Sequence, residues 1–218
     1  MNHPKENPQR KFTYADYLTW PEDERWELID GEPFDMTPAP SVDHQFIVGR
    51  LHRFFDEFLE GKTCHAYVAP FDVRVPKGDE ADGEIDTVVQ PDVVVICDED
   101  HLDQRGLRGA PDLAVEVLSP STASKDQIRK RRLYERSGVK EFWVVHPTDR
   151  MVMISRRTTR GVFGKTEYFE ADAKIKVGLF PGLVIDLNRV FPPAPKREVR
   201  ESPRKYLARK TSNPSASR

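Results

Sequence analysis

The chain has 218 residues, 38% hydrophobic and 32% charged, with a formal net charge of −2, which excludes a fibrous or wholly disordered chain and suits one well-filled core. No apolar stretch approaches the ~20 residues that span a bilayer, and the polar N-terminus lacks the apolar run of a secretory signal, so a cytoplasmic protein with no membrane partner is expected. The near-neutral total hides an asymmetry: from Pro192 onward eight basic residues face only Glu198 and Glu201, a net +6, and the preceding residues carry −8.

In chain order, residues 14–20 read as a short helix stopped by Pro21. Asp30-Gly31-Glu32 is a turn signal between strands at 26–30 and 33–36. The spacing of Ile47, Leu51, Phe54, Phe55 and Phe58 predicts an amphipathic helix over 42–59, closed by Gly61. Residues 64–75 alternate as one or two strands, and 77–86 form an acidic loop expected to be solvated. The run Val93-Val94-Val95-Ile96, opened by Asp92, suits a strand buried on both faces, and residues 112–118 form another. A strongly basic helix over 124–137 ends at Gly138. A strand at 141–145 follows, then a terminal meander from 151–155 and 167–169. The expected fold is α/β: a central mixed β-sheet flanked by helices, with a C-terminal β meander, over residues 1–191. Residues 192–218, basic and rich in Pro and Ser, are expected to be a disordered tail. Added affinity for a polyanion and a solvated extension with no role are both open for it. Cys64 and Cys97 sit in strand-like runs with no metal-type spacing, which suggests reduced, buried thiols.

Three places carry chemistry. Asp92 stands at the mouth of a buried strand, where a carboxylate is costly unless it is paired or holds a metal. Glu116 lies inside Leu-Ala-Val-Glu-Val-Leu, and an acid in the middle of such a strand asks for a metal, a cation or a pocket. Asp126, Lys130 and Tyr134 recur every four residues and so share one helix face, with Arg129, Arg131, Arg132 and Arg136 around it. A second Pro-Asp, at Asp112, competes with Asp92. It lies four residues from Glu116 on one strand, roughly 13 Å away, too far to share an ion whose oxygen ligands lie at about 2.0–2.6 Å. Asp92, on a neighbouring strand, is the better partner.

These residues resemble the PD-(D/E)XK nuclease superfamily and, more narrowly, the Uma family of restriction endonuclease-like proteins. The segments that carry the resemblance are Trp26-Glu27-Leu28-Ile29-Asp30-Gly31-Glu32, the helix start at His44, Pro91-Asp92, and Glu116-Val117-Leu118-Ser119-Pro120-Ser121-Thr122. Asp126, Lys130 and Tyr134 follow, then Gly138-Val139-Lys140-Glu141-Phe142-Trp143. Their order spans roughly residues 14–191. The resemblance implies a restriction-endonuclease-like core and a Mg²⁺ (or Mn²⁺) site of Asp92, Glu116 and the main-chain carbonyl of Val117. It departs from the superfamily pattern at Leu118, which stands where a lysine would orient water and stabilise developing charge. Lys130, from the adjacent helix, is the expected substitute.

The implied activity is divalent-metal-dependent endonucleolytic hydrolysis of DNA, double-stranded by expectation, with the basic helix holding the backbone by charge. The alternative is a catalytically inactive nuclease fold that binds nucleic acid or protein. Glu27 and Glu32 are candidates for a third carboxylate. Each remaining residue also has a plain structural reading: His44 as a satisfied histidine at the helix start, Asp126 as support for the helix N-terminus, Tyr134 as packing, and Lys130 as solvated surface. A homodimer is the base-rate expectation.

Overall fold

The computed structural model describes residues 3–4, 10–36, 40–119 and 123–193, with only the backbone of 123–126. Asp126's side chain, residues 120–122 and the tail from 194 therefore lie outside the described residues. Among the described residues no helix is long and apolar enough to cross a membrane.

The chain opens with helix α1 (Tyr14–Tyr17), shorter than the stretch up to Pro21 suggested, and a hairpin of β1 (Trp26–Ile29) and β2 (Glu32–Asp35). Asp30 and Gly31 both take positive φ at its turn, a region glycine tolerates and Asp enters more readily than most residues. Helix α2 (Val42–Leu59) has the expected bounds, because the Ser41 hydroxyl caps the His44 N–H and Ile47, Leu51 and Phe55 form one buried stripe. Then come β3 (His65–Val68), β4 (Val73–Arg74), β5 (Val88–Val89), β6 (Val93–Ile96), β7 (Leu102–Asp103) and β8 (Gly106–Arg108). Strand β9 (Leu113–Val117) is followed by α3 (Ala123–Ser137), β10 (Glu141–His146), β11 (Met151–Arg156), β12 (Glu167–Glu170) and a hairpin of β13 (Lys174–Lys176) and β14 (Val184–Asp186).

The central sheet runs β12-β11-β10-β9-β6-β3. Only β9 and β10 are parallel within it, joined through α3, while its other pairs are antiparallel. One face packs on α2 and the β13–β14 segment through Val93, Val95, Val115, Trp143 and Ile154. The opposite face, carrying Val94, Ala114, Phe142 and Val144, packs on Leu133 and Tyr134 of α3. That second face also meets Ile29, Val73, Val89 and Leu107 of a second six-stranded sheet, ordered β2-β1-β5-β4-β8-β7. Beyond the β1–β2 hairpin its strands are two or three residues long, too short to read from periodicity.

Two readings need correction. Cys64 and Cys97 are joined as a disulfide. They continue the antiparallel register in which His65 opposes Ile96, so the pleat sets them side by side. The acidic loop is also anchored at one of its acids. Asp82 is 2.7 Å from the guanidinium of the fully buried Arg74, while Asp86 pairs within the loop, 2.6 Å from Lys77.

Candidate active site

Register builds the site. Val93 opposes Val115 and Val94 opposes Ala114 on antiparallel β6 and β9, so the next pair outward is Asp92 with Glu116. Period-2 alternation puts both on the face that carries Val94 and Ala114, toward α3. The carboxylate of Asp92 is fixed at both oxygens: the Val117 N–H donates to Oδ2 at 2.7 Å, and His44 Nε2 lies 3.2 Å from Oδ1. The α2 N-terminus thereby reaches the end of β6. His44 Nδ1 is buried with no hydrogen-bond partner among the described residues.

Glu116 is 8% exposed and takes one donor on each oxygen, Tyr134 Oη at 2.6 Å and Lys130 Nζ at 3.0 Å. Lys130 and Tyr134 are four apart on α3, so one helix face delivers both. The lysine also lies 2.9 Å from each oxygen of Glu27, and the Gln90 N–H donates to Glu27 Oε1 at 2.8 Å. Burial pushes the Glu116 carboxyl up to about 8; Lys130 opposes that shift, while Glu27 and Asp92 add to it.

The expected residues thus divide clearly. Asp92, Glu116, Lys130, Tyr134, Glu27 and His44 come together. Glu32 does not: it is exposed and pairs with Lys11. Asp112 is structural, bridging Lys140 and the Cys97 N–H. Leu118 packs against the apolar cluster on the α3 face and offers no proton-transfer group. Three of the four arginines of α3 are less available to a polyanion than their number suggested, while Arg132 is exposed. Arg136 is 2.7 Å from Asp30, Arg129 lies over the Phe34 ring near Glu32, and Arg131 pairs with Glu135.

A group that sequence reasoning passed over is Gln90, 8% exposed. Its Oε1 accepts from Arg25 Nη2 at 2.8 Å, and its Nε2 donates to Asp72 Oδ1 at 2.9 Å and to Tyr17 Oη at 3.1 Å. Burial raises the Asp72 carboxyl. The only sequence signal was a polar residue directly before Pro91-Asp92.

Among the described residues no group of three or more His, Cys, Asp or Glu side chains is arranged to hold a metal ion. The Asp92–Glu116 pair nonetheless fits magnesium's needs, since that ion keeps several waters and takes one or two protein carboxylates beside substrate oxygens. The acids outnumber the cation, because Lys130 contacts Glu27 and Glu116 while Asp92 pairs with His44 and the Val117 N–H. Val117 meets Asp92 through its N–H, so its carbonyl is a ligand only by proposal.

The Uma2 family, described as putative restriction endonuclease, matches residues 14–188. An uncharacterized protein of Synechocystis sp. is 31% identical over 134 residues, 61% of this chain. The match spans 66% of that relative's length, just under two thirds. The crystal structure of a putative nuclease belonging to DUF820 from Anabaena variabilis aligns with a TM-score of 0.67 at 20% identity, covering 83% of this chain and 97% of that one. At that identity the likeness speaks for the fold, and the restriction-endonuclease-like α/β class is borne out.

Proposed function

The chain belongs to the Uma2 family, and from that premise we propose that it is a divalent-metal-dependent endonuclease hydrolysing DNA phosphodiester bonds. The observation that carries this reading is the pairing of Asp92 and Glu116 across β6 and β9, with Lys130 on the glutamate. Asp92, Glu116 and the Val117 carbonyl would hold Mg²⁺ or Mn²⁺. When bound, such an ion polarises a phosphoryl oxygen and lowers the pKa of a water.

The chain's own residues supply the rest. Val117 N–H and His44 orient Asp92. Tyr134 orients Glu116, and Glu27 holds the Lys130 ammonium beside it. Lys130 thereby brings a positive charge to the position left vacant of one by Leu118, where it would orient water and stabilise charge on the phosphate.

A binding module without catalysis is the second reading, favoured by one observation. Lys130 already bridges the buried Glu27 and Glu116 side chains without any ion, so the cluster also works as a polar core. Calorimetric titration with Mn²⁺ tests the two readings. The nuclease reading expects binding by the wild type and at least tenfold weaker binding by Asp92→Ala and Glu116→Ala. Absence of binding by the wild type favours the module.

A further inference from the structure

Most arginines around the hairpin and α3 whose side chains are described are neutralised: Arg10 by Asp16, Arg74 by Asp82 and Asp103, Arg136 by Asp30. Arg25 is different. Among the described residues its side-chain partner is an uncharged one, the Gln90 carboxamide, which takes Nη2 at 2.8 Å and Nε at 3.3 Å. A neutral acceptor fixes the guanidinium plane but leaves its charge in place, and two donors on one edge are spent while others remain.

Its position is also defined. The Met36 N–H donates to the Arg25 carbonyl, extending the β1–β2 ladder, in which Trp26 opposes Asp35, by one residue. Arg25 and Glu27 therefore share a strand face, about 7 Å apart along the strand. Gln90 ties them again, since its peptide N–H holds Glu27 while its side chain holds Arg25. Arg25 is half-buried, so its charge is not dispersed in bulk water. The carboxylates beside it repel a polyanion, which makes a fixed cation at their edge the group a phosphate would meet first.

We infer that Arg25, held in place by Gln90, is a phosphate-binding residue that docks the DNA backbone at the edge of the Asp92–Glu116 site. The inference rests on the nuclease reading above and supplies it with a fixed cation for the backbone in addition to the exposed Arg132, a role that Arg129, Arg131 and Arg136, paired with acids, fill poorly. Arg25 contacts a phosphate and Gln90 positions Arg25.

Fluorescence anisotropy of a labelled DNA duplex, titrated with the full chain in Ca²⁺ at several salt concentrations, tests it. Arg25→Gln, checked for folding by its melting curve, is expected to bind about tenfold more weakly. Its plot of log K against log salt should be shallower by about 0.9, the loss of one phosphate contact. Arg25→Lys keeps the charge, so it should keep the slope and lose part of the affinity. A folded Arg25→Gln with wild-type affinity and slope overturns the inference alone. Should Arg25→Gln not fold, Arg25→Lys decides, and wild-type affinity there overturns it. A wild type that holds no duplex in Ca²⁺ removes the nuclease reading and this inference together.

Discussion

The ammonium of Lys130, fourteen residues downstream of Glu116, lies 3.0 Å from its Oε2, delivered by the helix that follows the glutamate's strand. It also touches Glu27, and all three groups are less than a tenth exposed. Removing one partner of a buried ion pair costs about 3–5 kcal/mol, because the remaining charge is left uncompensated. Lys130→Met should therefore destabilise the chain by that order in urea denaturation and abolish cleavage. Adding Glu27→Gln should recover part of the stability, since it removes the carboxylate left without its cation. A cost below ~1 kcal/mol for Lys130→Met would show that the triad is not the buried network described.

The position of Glu116 sets a pH dependence. Burial raises its carboxyl to about 8, against roughly 4.3 in an unfolded chain. A raised folded pKa means that the group's contribution to stability is full below the unfolded value and is lost as pH rises toward the folded one. Between roughly pH 4.5 and 8 the wild type should therefore lose stability relative to Glu116→Gln, with the gap constant above that window. Urea titrations at unit pH steps measure it. Parallel curves for the two proteins would contradict the buried, proton-holding glutamate.

The same shift would make the proposed metal binding proton-linked. A ligand carboxylate must be ionised, so binding below about pH 8 should release a proton from Glu116. Mn²⁺ calorimetry at pH 6.5, repeated in buffers of different ionisation enthalpy, should give heats that differ by buffer, and at pH 9 the difference should vanish. Equal heats in all buffers at pH 6.5 would rule out Glu116 as the protonated ligand.

Tyr134 Oη donates at 2.6 Å to Glu116 Oε1. A hydrogen bond to a charged, buried group is worth about 1.5–3 kcal/mol. Tyr134→Phe should lower stability by that order above pH 8, where Glu116 is ionised, and by less below pH 5. It should also weaken Mn²⁺ binding, because the unpinned carboxylate is harder to ionise. A loss of stability independent of pH would return Tyr134 to a packing role.

Much of this site was legible before any coordinates. Asp92 and Glu116 stood out because a carboxylate in an apolar strand has few physical excuses. Lys130 and Tyr134 stood out because their spacing puts them on one helix face. Glu27 could not be separated from Glu32, since only the hairpin register decides which side chain faces the core. Gln90 was invisible for a different reason. A neutral amide carries no charge signal, and its partners Tyr17, Arg25 and Asp72 are 73, 65 and 18 residues away in sequence. The second sheet escaped because two-residue strands such as Val73–Arg74 and Val88–Val89 are too short to show a period. The Cys64–Cys97 bond escaped because pairing depends on the register of β3 against β6.

That bond carries its own expectation. A cross-link between residues 33 apart restricts the unfolded chain and is worth about 2–4 kcal/mol. The double variant Cys64→Ser, Cys97→Ser should unfold at lower urea by that order, and a thiol reductant should bring the wild type to the same point. Insensitivity of the wild type to the reductant would indicate that the pair is not joined in solution.

Asp92 and Glu116 are proposed to form one metal-dependent phosphodiesterase site. Incubation of purified protein with supercoiled plasmid in Mg²⁺ or Mn²⁺ tests it most directly. The expected result is conversion to nicked and linear DNA by the wild type, suppressed by chelator and by Asp92→Ala or Glu116→Ala. Cutting by either variant at the wild-type rate would contradict it.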